Sequence, residues 1–172
     1  MDYQVYRSRL QSRLTIMAYL IVAGFNLAVA QAPPKTIQGK HVRLTLGEAP
    51  RTAPPGGRMT LSIDVALQPG LHVYAPGVAD YIPIAWTMKP NAGAAAQPVT
   101  FPPSRKLHLP AIDETVPAYE GEIHLVRTVT LDKAASGTLT LEGSLRYQAC
   151  DDRLCYVPET LALKWVIPVA QK

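Results

Sequence analysis

The stretch MTLSIDVAL, Met59 to Leu67, alternates almost without a break. Met59, Leu61, Ile63, Val65 and Leu67 are apolar, and Thr60, Ser62 and Asp64 between them are polar. Successive side chains of an extended chain point to opposite faces, so this segment has one face for a core and one for water. It reads as a half-buried strand, and the same pattern recurs outward in both directions. Downstream, Gln68-Pro69-Gly70 turns the chain into a short strand, Leu71 to Ala75 (LHVYA). Upstream, His41 to Leu46 (HVRLTL) puts Val42, Leu44 and Leu46 on one face, and Ala49 to Gly57 is a loop by composition.

Further strands are expected at Ile84 to Met88 and Gln97 to Phe101, separated by Pro90-Asn91-Ala92-Gly93. In Glu122 to Leu131 (EIHLVRTVTL), Ile123, Leu125, Val129 and Leu131 share a face that Arg127 interrupts, which a bulge or a strand end would explain. Thr138 to Tyr147 alternates through Leu139, Leu141, Leu145 and Tyr147, and Leu161, Leu163, Trp165 and Ile167 alternate again. Pro102 to Tyr119 holds four prolines and little alternation, and reads as a long ordered loop. Eight or nine strands with turn signals and no amphipathic helix predict an all-β, immunoglobulin-like β-sandwich. A small barrel would give the same periodicity.

Composition agrees with that class. Of 172 residues, 48% are apolar and 17% charged, enough for a packed core, and sixteen prolines are too many for a helical protein. Arg7, Arg9 and Arg13 precede the apolar run Leu14 to Ala30, which ends in Ala28-Val29-Ala30, small residues at signal-peptidase spacing. Residues 1–30 therefore read as a signal peptide, 31–40 as a leader and 41–172 as the folded domain, exported to the periplasm. A retained membrane anchor is the competing reading of the first segment. Beyond it the net charge is only mildly positive and scattered, which excludes a nucleic-acid groove.

The two cysteines lie in YQACDDRLCYVPET, Tyr147 to Thr160, with four residues between them. One alternating strand ends before them and another begins after, so they are expected to face each other across the neck of a β-hairpin, with Asp151-Asp152-Arg153-Leu154 as the turn. Opposed residues of an antiparallel pair are close enough for a disulfide. Such a bond is either a staple or a reactive site. A loop of about six residues gains only about 2 kcal/mol from closure, a poor return for a staple. A protruding turn is where a foreign thiol could reach a sulfur. Asp151 and Asp152 would disfavour a thiolate, Arg153 offsetting part of this, which predicts a couple that gives electrons away.

Together with LQPGLHVYAPG and VPAYEGEIHL, the cysteine stretch resembles the N-terminal periplasmic domain of DsbD, the thiol:disulfide interchange protein, over about Arg58 to Pro168. The resemblance implies an immunoglobulin-like sandwich whose redox pair, Cys150 and Cys155, relays electrons from a membrane-embedded thiol transporter to thioredoxin-like periplasmic proteins. It implies that Cys155 is the better candidate for the mixed disulfide. It also implies an aromatic cap loop at Val116 to Gly121, with Tyr119 as lid and Glu120 or Glu114 as its acidic residue. His72 and Tyr74, from the turn LQPGLHVYAPG, and Tyr147, Asp151 and Tyr156 are expected around the pair. DsbD continues into a membrane bundle and a thioredoxin-like domain, so this module is expected to take its electrons from another chain. The cysteine spacing also differs by one residue from that of DsbD.

The remaining residues supply no rival chemistry. His41, His72, His108 and His124 are scattered, so no metal or other cofactor is expected. No nucleophile elbow or phosphate-binding glycine loop is present. Trp86 and Trp165 read as core. The alternative from another class is a non-enzymatic immunoglobulin-like binding or assembly module with an inert structural disulfide.

Overall fold

The computed structural model describes residues 34–110 and 113–171. The expected signal peptide, residues 1–30, lies outside them. The described residues form an all-β, immunoglobulin-like sandwich of three antiparallel sheets. One has the order β1-β2-β3-β9-β6: Lys35–Gln38, Val42–Leu46, Arg58–Leu67, Glu122–Leu131 and Ala94–Thr100. The second runs β12-β10-β5: Glu159–Pro168, Thr138–Tyr147 and Ala85–Met88. The third runs β11-β4-β8-β7: Ala149–Cys150, His72–Tyr74, Glu114–Glu120 and Arg105–Leu109.

The alternation of MTLSIDVAL decides how these layers meet. Leu61, Ile63 and Val65 of β3 are buried, and so are Leu44 of β2 and Ile123 and Leu125 of β9. They join one cluster with Leu141 and Leu145 of β10, Leu163 and Ile167 of β12, and Val73, Tyr119 and Ala149 of the third sheet. The third sheet therefore gives one face to the main core. Its other face carries a second, smaller cluster of Tyr74, Leu109, Val116 and Cys150. Gly121, at φ 69°, takes the chain from β8 into β9, from the third sheet to the first.

Three expectations are corrected. Lys35–Gln38, expected within a leader, is a strand paired in register with β2. Pro102 to Tyr119, expected as a loop, contains two strands, β7 and most of β8. Pro117 masked the second. Its carbonyl accepts the Ala75 N–H at 3.0 Å, so its nitrogen faces the β4 side beyond the end of β4 at Tyr74, where no ladder donor is needed. The irregularity opposite Arg127 is also on the partner strand: β9 runs in regular register with β3, and the register shift lies between Ala96 and Val99 of β6, across Gln97 and Pro98.

Arg127 itself turns inward. Its Nη2 donates to the Trp86 carbonyl at 2.5 Å, and its guanidinium lies 5.1 Å from the centroid of the Trp86 ring. Burial lowers its pKa. Trp86 stacks on Trp165 in turn, with ring centroids 5.5 Å apart. Both tryptophans are core residues, as expected.

Candidate functional site

Strand β10 ends at Tyr147, and the chain changes sheet through Gln148 to form β11 against β4. Cys150 and Cys155 then face each other as an antiparallel bridge and form a disulfide, with Cα atoms 4.0 Å apart. The turn between them closes through Asp151 N–H to the Leu154 carbonyl at 3.0 Å. Asp151 builds this turn from its side chain too. Its Oδ1 accepts the N–H groups of Arg153 and Leu154 at 2.8 and 2.9 Å, and its Oδ2 accepts the Tyr156 hydroxyl at 3.0 Å. The hairpin neck is held by Tyr156 N–H to the Ala149 carbonyl at 2.9 Å and Gln148 Nε2 to the Tyr156 carbonyl at 3.0 Å.

The two sulfurs have unlike surroundings. Cys150 is 1% exposed, in the second cluster, whereas Cys155 is exposed. A pocket of 270 Å³ opens on Cys155, walled by Tyr74, Tyr81, Leu109 and the turn residues Asp151 to Leu154. The Tyr74 hydroxyl is 3.8 Å from Cys155 Sγ. Tyr81 stacks on Tyr74 with centroids 4.2 Å apart, and its hydroxyl donates to Glu114 Oε2 at 2.6 Å. That bond, with burial, pushes the Tyr81 pKa up to about 12, so the hydroxyl remains a donor at neutral pH. The 75–83 segment carrying Val78 and Tyr81 leaves and rejoins the fold at one point: Tyr74 bridges Pro83, and Ile84 N–H donates to the Tyr74 carbonyl at 2.9 Å. A wider groove of 760 Å³, between Lys35, Met88 and Lys164, contains no cysteine, histidine or aspartate.

A disulfide joining a buried and an exposed cysteine thus lies at the tip of a hairpin on an immunoglobulin-like sandwich. The family model described as "Thiol:disulfide interchange protein DsbD, N-terminal" matches residues 43–165. The chain belongs to this family. Among solved structures, the reduced-form DsbD N-terminal domain of Neisseria meningitidis is similar at 16% identity and a TM-score of 0.43, covering 61% of this chain and 74% of that one. The N-terminal periplasmic domain of ScsB from Proteus mirabilis is similar at 17% identity and a TM-score of 0.49, over 75% of this chain. The match spans about half, 49%, of the ScsB chain. No curated protein matches the sequence.

The likeness to DsbD N-terminal domains placed the lid at Tyr119, and the structure places that ring elsewhere. Tyr119 is in β8, paired with Val73 and buried in the main core, and its hydroxyl donates to the Pro102 carbonyl at 2.9 Å. Strand parity gives the reason. Tyr119, Val73 and Ala149 share the inward face, whereas Glu120, His72 and Cys150 share the outward one. Glu120 is exposed beside His72. Tyr147 also turns away from the sulfurs. Its buried hydroxyl donates to Glu159 Oε2 and accepts the His41 N–H at 3.4 Å, bracing the foot of the hairpin. Tyr156 stacks on His41 at 4.3 Å. Of the expected surrounding residues, His72, Tyr74, Asp151 and Tyr156 adjoin the pair, the last two as chain neighbours of Cys150 and Cys155, and Tyr147 does not.

Tyr81, Val78 and Leu109 were missed, and Val116, expected at the start of a cap loop, lies in β8 in the cluster with Cys150. Leu107 and Leu109 alternate in RKLHL, as Val116 and Ala118 do in TVPAY, which is a strand signal hidden by the surrounding prolines. Tyr81 had no signal beyond being an apolar ring within a Pro-Gly loop.

The hydrogen bonds from the Arg153 and Leu154 amides hold the Asp151 carboxyl below the ordinary aspartate value of 3.8. A group depressed on folding contributes stability above its unfolded pKa and loses it as pH falls through the folded value. The turn should therefore loosen in acid at a pH below 3.8. The amide proton shifts of Arg153 and Leu154, followed by NMR, are expected to titrate together there. A midpoint at or above the ordinary value would contradict the assignment.

Proposed function

We propose that this chain is a periplasmic thiol-disulfide exchange module. It relays electron pairs between a membrane-embedded thiol transporter on another chain and thioredoxin-like proteins through the Cys150–Cys155 bond. The observation that carries this reading is that exposed Cys155, which lines an open pocket, is bonded to buried Cys150. A donor thiolate attacks Cys155 Sγ, the new bond forms as the Cys155–Cys150 bond breaks, and the electron pair leaves on Cys150 as a thiolate. The donor's second thiolate then attacks its own bridged sulfur, freeing Cys155 and leaving the donor oxidised. In the delivery direction, Cys155 attacks the acceptor's disulfide, and Cys150 closes back on Cys155 to release the reduced acceptor.

The 75–83 segment takes the role of lid. Tyr81 is tied to Glu114 and stacked on Tyr74, which itself touches Cys155 Sγ. Displacing it widens the opening onto Cys155 for a docked partner.

Native protein treated with catalytic thioredoxin and excess reductant should expose both thiols to alkylation without denaturant. Labelling that requires unfolding would establish the inert staple of a non-enzymatic binding module instead. In the same assay, Tyr81→Phe is expected to speed reduction by a small-molecule dithiol severalfold, because it removes the tie to Glu114 and keeps the ring. A rate equal to that of the unsubstituted protein would show that the segment does not gate the site.

A further inference from the structure

His72 is the one buried polar or charged residue among the described residues, at 2% exposure. It lies opposite Cys150 on one side and opposite Glu120 on the other, so Glu120, His72, Cys150 and Cys155 form a row across the outer face of the third sheet. Directly paired residues hold their β-carbons about 4.5–5.5 Å apart, with both side chains on the same face. The Nε2 atom of this ring is buried and has no hydrogen-bond partner. Buried polar atoms are nearly always satisfied, so an orphan here needs a reason. The adjoining disulfide supplies one. A bonded sulfur is a weak acceptor, but opening the bond turns Cys150 into a thiolate, a strong one, in the adjacent position of the row.

We propose that His72 is a positioning residue for the exchange reaction, whose Nε2 becomes the partner of the Cys150 sulfur when the disulfide opens. The inference rests on the exchange reading of the Cys150–Cys155 pair. In the step it assists, an incoming thiolate bonds to Cys155 Sγ, and the electron pair of the broken bond stays on Cys150 Sγ, where the imidazole N–H meets it. No proton need be transferred. The reverse step uses the same contact, since Cys150 is then the attacking thiolate. The contact also makes the choice of sulfur one-sided: the atom with the waiting donor leaves, and the exposed atom is attacked.

The groups that face the ring are Glu120 from β8, Asp151 and Asp152 from the turn, Cys150 from β11, and Tyr74 from its own strand, with the two rings edge to face at 5.5 Å. Burial lowers the His72 pKa against the opposing pull of Glu120, Asp152 and Asp151, which keeps the ring neutral in the oxidised protein at neutral pH. A thiolate on Cys150 adds another negative charge beside it and should raise that value.

The test follows the ultraviolet absorbance of the Cys150 thiolate against pH in the reduced Cys155→Ala domain, with and without His72→Phe. Loss of the donor is expected to raise the midpoint by about one pH unit, a tenfold loss of thiolate at neutral pH. His72→Gln, whose amide can still donate, should restore most of it. An unmoved midpoint overturns the proposal. Should His72→Phe fail to fold, NMR titration of the His72 ring in the unsubstituted domain decides: its midpoint should rise on reduction of the pair, and the same midpoint in both states overturns the proposal. Neither readout involves a partner. Refusal of the native disulfide by thioredoxin would overturn the exchange reading and this role with it, whereas an unmoved midpoint removes His72 alone.

Discussion

Cys150→Ala should accumulate a mixed disulfide with thioredoxin-like proteins at Cys155, and Cys155→Ala should accumulate none. The two cysteines are chemically alike and bonded to each other, so a difference between the variants reports their surroundings. Cys155 is exposed on a pocket, and Cys150 is 1% exposed beneath the second cluster. A thiolate approaches the sulfur it attacks from the side opposite the bond it breaks, and access selects which sulfur that is. In Cys150→Ala the free Cys155 thiolate attacks a partner's disulfide, whose other sulfur leaves as a thiolate, and no Cys150 closes back on Cys155, so the adduct persists. In Cys155→Ala the remaining thiol cannot be approached. Adduct yields on non-reducing gels should differ on the order of tenfold or more. Equal yields, or the reverse order, would show that exposure does not choose the reactive sulfur.

Trp86→Ala should be among the most destabilising single changes in the domain. Removing a buried tryptophan costs about 3–5 kcal/mol through lost transfer energy and the cavity left behind. Here the cavity also uncovers a charge. The Trp86 ring stacks on Trp165 and covers the Arg127 guanidinium, whose Nε is buried without a partner. The backbone carbonyl of residue 86 would remain to accept from Arg127, but the ring contact would be lost. Domains are typically stable by about 5–15 kcal/mol, so the change consumes a large part of that margin. Thermal melts should show Tm lowered by roughly 10 °C. A loss below about 1.5 kcal/mol would mean that the core closes over the site or that Arg127 finds water easily.

The main sandwich was legible in the sequence because its long strands each bury one face. Leu61, Ile63 and Val65, or Leu141 and Leu145, announce their direction two residues at a time. The cysteine hairpin was legible for a different reason: it interrupts two such runs, and the intervening residues suit a turn. The third sheet was harder. β4 has three residues, all buried, so it has no alternation to read, and β8 is broken by a proline whose harmlessness depends on β4 ending early. With β7 and β8 unread, their parity was unknown, and Tyr119 was placed over the disulfide when it faces the opposite side of the sheet. The partner of Arg127 was equally hidden, because a charge on an apolar face is explained only by the tryptophan of another strand.

The hairpin neck has a kinetic consequence. Ala149, Gln148 and Tyr156 hold the two arms together through bonds that do not involve sulfur, and β11 is anchored to β4. Cleaving the disulfide therefore leaves both thiols parked within reach, and ring closure is a unimolecular event at high effective molarity. The lifetime of any covalent complex is then set inside this domain rather than by a search of the chain. On the exchange reading proposed above, turnover should then follow the frequency of productive encounters with a partner.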